Sequence, residues 1–230
     1  MPVAIKGNFL LQGRIDLMNS ISLQIQNYTI LQKNLPVSGK HILAQFDNSS
    51  IVVYQAYRKD IADFAVKNQF FGGPFSMNRM SWIKPNFLWM MYRSGWATKV
   101  DQERVLAIRI SREGFDSILQ NAVYSSFTPS VYSSQEEWKS NLESFDVRLQ
   151  WDPDHDPHGK PLERRAIQLG MKGDILRKYA KDWILKIEDI TDFVKENYQY
   201  ILSNELNKLY CPLETIYPVE DLKVSQKIFS

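Results

Sequence analysis

Three tryptophans, a tyrosine, three methionines and three cations fall within the eighteen residues from Arg79 to Trp96. Flat side chains between fixed positive charges suit a ligand with a flat ring and a negative charge, such as a nucleotide. Rings stack on Trp and Tyr, and cationic side chains neutralise phosphate. A buried helix has no use for Arg79, Lys84 and Arg93. Phe87, Leu88, Met90 and Met91 read as core, and Trp89 with them, because Met fills irregular gaps. Ser81, Trp82, Lys84 and Arg93 remain as ligand-facing candidates. Pro85 and Gly95 keep Trp82, Trp89 and Trp96 off one continuous helix, so their regular spacing is incidental.

Tyr54, Gln55, Tyr57 and Arg58 stand at the end of a β-rich run, where function concentrates more than in strand middles. Alternation puts Tyr54 and Arg58 on one side and Gln55 and Tyr57 on the other. One set is expected to touch ligand, and the forked Arg58 suits phosphate or carboxylate. The plainer reading is a rim with ordinary hydrogen bonds.

Between Trp151 and Gly159 lie Asp152, Asp154, His155, Asp156 and His158. Such oxygen and imidazole groups can ligate a metal, but the spacing matches no EF-hand or zinc motif. Asp and Pro are also ordinary turn formers. Shaping a pocket is the stronger reading, with Trp151, Asp152, Asp154 and His155 lining it and an aspartate paired to a nearby arginine. Arg164, Arg165 and Gln168 follow as further lining candidates; the two arginines either pair with the acidic loop or extend a positive surface. Cys211 precedes Pro212 with no base nearby in sequence, so it reads as structural. No GxSxG, P-loop, GxGxxG or HExxH occurs, which removes the commonest hydrolase, kinase, dehydrogenase and metalloprotease readings.

The elements that must position these residues are interleaved. Runs 41–46 and 51–57 around Asp47–Ser50 predict a hairpin. A helix is expected over 59–69, stopped by Gly72 and Gly73, and another from Pro85 to about Arg93, ended by Gly95. Strands are expected over 104–110, 145–151, 166–171 and 184–187, and helices over 113–123 and 173–182. Ser134 and Glu137 form a capping box, residues 152–161 read as a polar loop, and Thr191 caps a last long helix. The hairpin and the lack of a Gly-rich βαβ turn favour α+β, with a curved, mostly antiparallel sheet flanked by helices. Residues 37–230 form one domain, and 1–36 an extension in which Met18 is an alternative start.

At 230 residues the chain can bury a full core, and 44% hydrophobic with 23% charged residues is a globular balance. A net charge of +2 is too small to argue for nucleic-acid binding by charge alone. One cysteine permits no internal disulfide. No membrane span or signal-peptide pattern shows, and the chain reads as cytoplasmic.

The runs Val53–Tyr57, Met80–Lys99, Gln102–Ile108, Val147–Pro157, Arg164–Gly170 and Ile187–Val194 resemble a family known as domain of unknown function 4291. That likeness covers most of the chain and implies no activity. The order of elements also resembles that of ADP-ribosyltransferases. This second resemblance implies NAD as cofactor. Arg58 or Lys84 would then hold the pyrophosphate, and Trp82 or Tyr54 would stack on nicotinamide. Ser81 would seat the ribose, and Glu188 would be the late acid. A nucleotide-binding enzyme of this transferase type is the leading expectation. A single-strand nucleic-acid module is the alternative, and a metal-dependent hydrolase built on the 152–158 cluster the third.

Overall fold

The computed structural model describes residues 22–230. Ile51 to Tyr54 are all β-favouring, and they sit in strand β1 (Ser50–Tyr57), buried on both faces. Strand β3 (Arg104–Ser111) pairs antiparallel with β1 on one edge and with β7 (Ile184–Asp189) on the other. Alternation sorts their side chains between two cores. Ile51 and Val53 join Leu106, Ile108 and Ile110 on one face, while Val52 and Tyr54 join Val105 and Ala107 on the other.

The second sheet is built on a long antiparallel hairpin of β5 (Val147–His155) and β6 (Pro161–Met171). Strand β2 (Ser81–Ile83) pairs antiparallel with the outer edge of β6, and β4 (Ala122–Tyr124) runs parallel to β5. The two sheets meet at one point. Tyr54 N donates to the Lys84 carbonyl at 2.7 Å, and Lys84 N donates back to Tyr54 at 3.2 Å. The result is an α+β domain with a curled, mostly antiparallel sheet flanked by helices.

Helix α1 (Lys59–Asn68) follows β1 and stops on Gln69, which itself turns left-handed at φ 61°, before Gly72 and Gly73 are reached. Helix α2 (Phe87–Ser94) starts two residues later than Pro85 suggests, because Asn86 is its cap and accepts from Trp89 N at 2.7 Å. Gly95 ends it, as expected, at φ 59°. The helix expected over 113–123 is α3 (Arg112–Gln120), and the β-branched and aromatic tail Ala122–Tyr124 leaves it to pair with β5. Ser134 caps α4 (Gln135–Ser144), accepting from Glu137 N at 3.1 Å, while the Glu137 carboxylate turns back to Ser133. Helix α5 (Gly173–Lys181) matches expectation closely. Helix α6 (Thr191–Leu202) forms where expected, but Thr191 is its first residue and not its cap: its hydroxyl accepts from Val105 N, while Asp189 accepts from Thr191 N. Helix α7 (Leu222–Phe229) had no counterpart in the expectation.

Two expectations about pairing are corrected. Only Phe46 bridges back to Ile51; Leu43 and Ala44 pair instead with Ile216 and Thr215. Half of the expected 152–161 loop is strand, and the turn is confined to 156–160, where Asp156 caps the backbone of His158 and Lys160. The ladder shifts register between Pro153 and His155, since proline has no N–H to give. Of the 1–36 segment, the described part packs on the domain: Leu23, Tyr28 and Leu31 are buried, and Ile25–Asn27 pairs with Tyr210–Pro212. Met18 lies outside the described residues. Among the described residues, no helix is long and apolar enough to cross a membrane.

Candidate functional site

Beyond the Tyr54–Lys84 bridge, β1 and β2 diverge, and the gap is spanned by a side chain. Gln55 Nε2 donates to the Trp82 carbonyl at 3.1 Å and to Ser81 Oγ at 2.8 Å. A cleft of about 690 Å³ opens there, within the range of small-molecule sites. Its walls come from Gln55–Arg58 of β1, Arg79–Trp82 and Lys84 around β2, Met90 and Arg93 of α2, Asp101 and Gln102 before β3, and Gln150 and Gln168 of the long hairpin.

One wall is a hydrogen-bonded chain. Tyr179 donates to Gln55 Oε1 at 2.7 Å, Gln55 donates to Ser81, and Ser81 Oγ lies 2.9 Å from Tyr57 Oη. The last pair holds two hydroxyl hydrogens and needs one of them for its mutual bond. Whichever is donor, one hydrogen remains for a ligand. Burial raises the Tyr57 phenol above its usual range, so it stays protonated and available as a donor.

The facing wall carries a ring and an amine on one side of β2. Trp82 pairs with Gly170, and the absence of a side chain there makes room for the indole: a Cβ on Gly170 would meet Trp82 Cε2 at 2.7 Å. Continued by two residues, the same register sets Gln168 opposite Lys84, and Gln150 lies opposite Gln168. Both glutamines donate to Asp152, at 3.0 and 2.8 Å. Their amide nitrogens are thus turned to the carboxylate, leaving the amide oxygens for other partners. Lys84 is only 4% exposed. Its ammonium has no hydrogen-bond or ion-pair partner among the described residues, and it faces the cleft. Burial, with the like charge of Arg93, draws its pKa down to about 8, against the opposing pull of Asp152.

Exposed arginines ring the mouth. Arg58 is held by Asp60 at 2.6 Å, and Arg93 reaches Gln102 at 3.4 Å. Arg79 makes no hydrogen bond or ion pair with a described residue. Asp101, at φ 62°, is the one carboxylate among the described residues lining the cleft.

Of the residues expected to act together, Ser81, Gln55, Tyr57, Arg58, Trp82, Lys84, Arg93 and Gln168 line this cleft. Others do not. Tyr54 is fully buried on the opposite face of β1, packed edge-on to Phe87. Glu188 pairs with Ala107, which pairs with Tyr54, so it too belongs to that opposite face, and its carboxylate is taken by Ser22 and Lys186. Trp151 donates to the Ile228 carbonyl and packs on Phe229. Asp154 and Arg164 pair with each other at 2.5 Å, away from solvent. The His155 ring stacks on Tyr92 at 3.6 Å, and Arg165 is exposed opposite Lys40. Asp152 supports the cleft from behind the two glutamines. Among the described residues no group of three or more His, Cys, Asp or Glu side chains is placed to hold a metal. Cys211 is buried, with its thiol pushed up by desolvation.

Sequence reasoning omitted Arg79, Asp101, Gln102 and Gln150 from the site. Gln150 carried a signal, since it alternates with Leu149 and Trp151 on the polar face of its strand. Asp101 and Gln102 carried none, because a turn brings them to the cleft.

A family model described as Domain of unknown function (DUF4291) matches residues 41–217, and the chain belongs to that family. No curated protein matches it.

Proposed function

We propose that this member of the DUF4291 family binds a nucleotide in the cleft between β1 and β2. The observation that carries the reading is the pairing of a half-buried indole that lines the cleft with three mouth arginines around a site of about 690 Å³. The ring of the ligand stacks on Trp82, its sugar hydroxyls meet the Ser81–Tyr57 pair, and its phosphates meet Arg58, Arg79 and Arg93. The glutamine oxygens at the inner end suit the N–H edge of a base. NAD meets the same requirements, in line with the likeness in element order to ADP-ribosyltransferases. Glu188 stands outside the cleft, so no step of a transfer is assigned to it. A cleft bounded at its inner end by Lys84 and the glutamines suits a mononucleotide or dinucleotide better than a threaded strand.

Calorimetric titration of the full chain with ATP, NAD and a single-stranded oligonucleotide tests this, with nicotinamide release followed in the NAD arm. Binding of ATP or NAD is expected at micromolar to millimolar level, and silence towards both at millimolar concentration would sink the proposal. Trp82→Ala is expected to weaken binding roughly tenfold or more, since a stacked base contributes about 1–3 kcal/mol. Gly170→Ala, which touches no ligand, is expected to weaken it by displacing the indole from its seat. Unchanged affinity in both variants would remove Trp82 as the stacking platform.

A further inference from the structure

We propose that Lys84 is a nucleophilic amine that forms an imine with a ligand carrying an aldehyde or ketone. The ligand would be anionic and of nucleotide size, such as an open-chain sugar phosphate or a phosphorylated aromatic aldehyde. The inference rests on the cleft reading for the seats of ring and anion, and adds a covalent step at its inner end.

The geometry points to the amine for three reasons. Lys84 is nine-tenths buried, yet its Nζ has no hydrogen-bond or ion-pair partner among the described residues and the residue lines the cavity. The carboxylate that favours its charged form, Asp152, accepts hydrogen bonds from the amides of Gln150 and Gln168 and none from the amine, so its pull is one of charge alone. Anion binding at the mouth is supplied by guanidiniums, which hold phosphate by their planar forks better than a single enclosed ammonium does. The backbone of Lys84 is clamped between the two sheets by its paired hydrogen bonds to Tyr54, which fixes where the amine can reach. Trp82 and Lys84 are alternate residues on one side of an extended strand, roughly 7 Å apart. A ring stacked on Trp82 therefore presents a short substituent to the amine.

Lysines desolvated beside another cation are the ones that act as nucleophiles near neutral pH. The charged groups influencing this one are Arg93 from α2 and Asp152 from β5, and the lowering caused by burial and Arg93 prevails. At neutral pH the uncharged fraction then exceeds that of an ordinary lysine roughly 300-fold. In the step itself the Nζ lone pair attacks the carbonyl carbon and the C=O electron pair moves to oxygen. Both amine hydrogens leave with that oxygen as water, and a C=N bond remains. No oxidant or reductant is required.

Pyridoxal 5′-phosphate joins a flat ring, a phosphate and an aldehyde, and serves as the probe. The full-length protein is incubated with it, reduced with borohydride and mapped by peptide mass spectrometry. The adduct is expected on Lys84 at least tenfold above any exposed lysine, suppressed by excess ATP and lost in Lys84→Arg. Adducts spread over surface lysines with Lys84 unmodified would overturn the imine proposal, even if ATP binds. Lys84 trapped in a protein that binds no nucleotide would support the imine and overturn the nucleotide reading alone. The wild-type map decides the matter should Lys84→Arg fail to fold.

Discussion

Arg164→Met is expected to lower the free energy of unfolding by about 3–5 kcal/mol, the cost of breaking a buried ion pair from one side. Arg164 Nε lies 2.5 Å from Asp154 Oδ2, with the two side chains 9% and 1% exposed. The guanidinium also donates to the Pro36 carbonyl at 3.2 Å, so the same residue ties the 22–36 segment to β6. Methionine keeps most of the volume and leaves the Asp154 carboxylate buried with only the His155 amide, at 2.7 Å, as partner. Burial already holds the Asp154 carboxyl above its ordinary range, and Arg164 is the main influence pulling it back. Without the arginine it rises further. A carboxyl whose folded pKa exceeds its unfolded value takes up a proton on folding, so stability falls as pH rises through that window. The deficit of Arg164→Met should therefore be largest near neutral pH and shrink on acidification. Urea denaturation at about pH 7 and about pH 5 measures both values. Asp154→Asn combined with Arg164→Met should recover much of the loss, because no charge is left unpaired. A deficit below about 1 kcal/mol, or one indifferent to pH, would show that the pair does not bear this load.

What could be read from the sequence was local. Strand β3 announces itself by alternation, α1 by its helical spacing, and the end of α2 by Gly95. The pairing of distant runs does not. Leu43–Ala44 was expected to pair with the next run, but its partner lies at Thr215–Ile216, and nothing in either stretch names the other. The 152–161 segment misled because three prolines and three aspartates imitate a loop. Pro153 is instead accommodated at a break in ladder register.

The same division holds for the site. Ser81, Trp82, Lys84 and Arg93 were found together because they lie close in sequence around one strand and the helix after it. On β1, alternation separated Gln55 and Tyr57 from Tyr54 but could not say which side meets the cleft. That depends on the other sheet, and the side of Gln55 and Tyr57 is the one. Alternation also wrongly put Arg58 with Tyr54: the strand ends at Tyr57, and Arg58 joins Gln55 and Tyr57 at the cleft. Glu188 was placed by order along the chain. The decisive fact is the parity of its register with Ala107 and Tyr54, a property of the assembled sheet.

Reversing two charges at the mouth, Arg79→Glu with Arg93→Glu, is expected to reduce nucleotide affinity by roughly 100-fold or more. Each charge-assisted hydrogen bond to phosphate contributes about 1.5–3 kcal/mol, and about 1.4 kcal/mol is a factor of ten. Two such contacts together account for that loss, and the introduced carboxylates add repulsion. Stability should barely change, since both side chains are exposed. Arg79 has no described partner, and Arg93 has a single long contact to Gln102 at 3.4 Å. A melting curve next to the titration separates lost binding from lost fold. Salt separates the mouth from the indole. Wild-type affinity should fall as ionic strength rises, because exposed charges are screened, and Trp82→Ala should keep that slope at weaker affinity. The charge-reversed variant should lose the slope along with the affinity. If it binds within threefold of wild type, the phosphate does not rest on Arg79 or Arg93. Arg58 at the mouth and Lys84 at the inner end would then be the cations left to hold it.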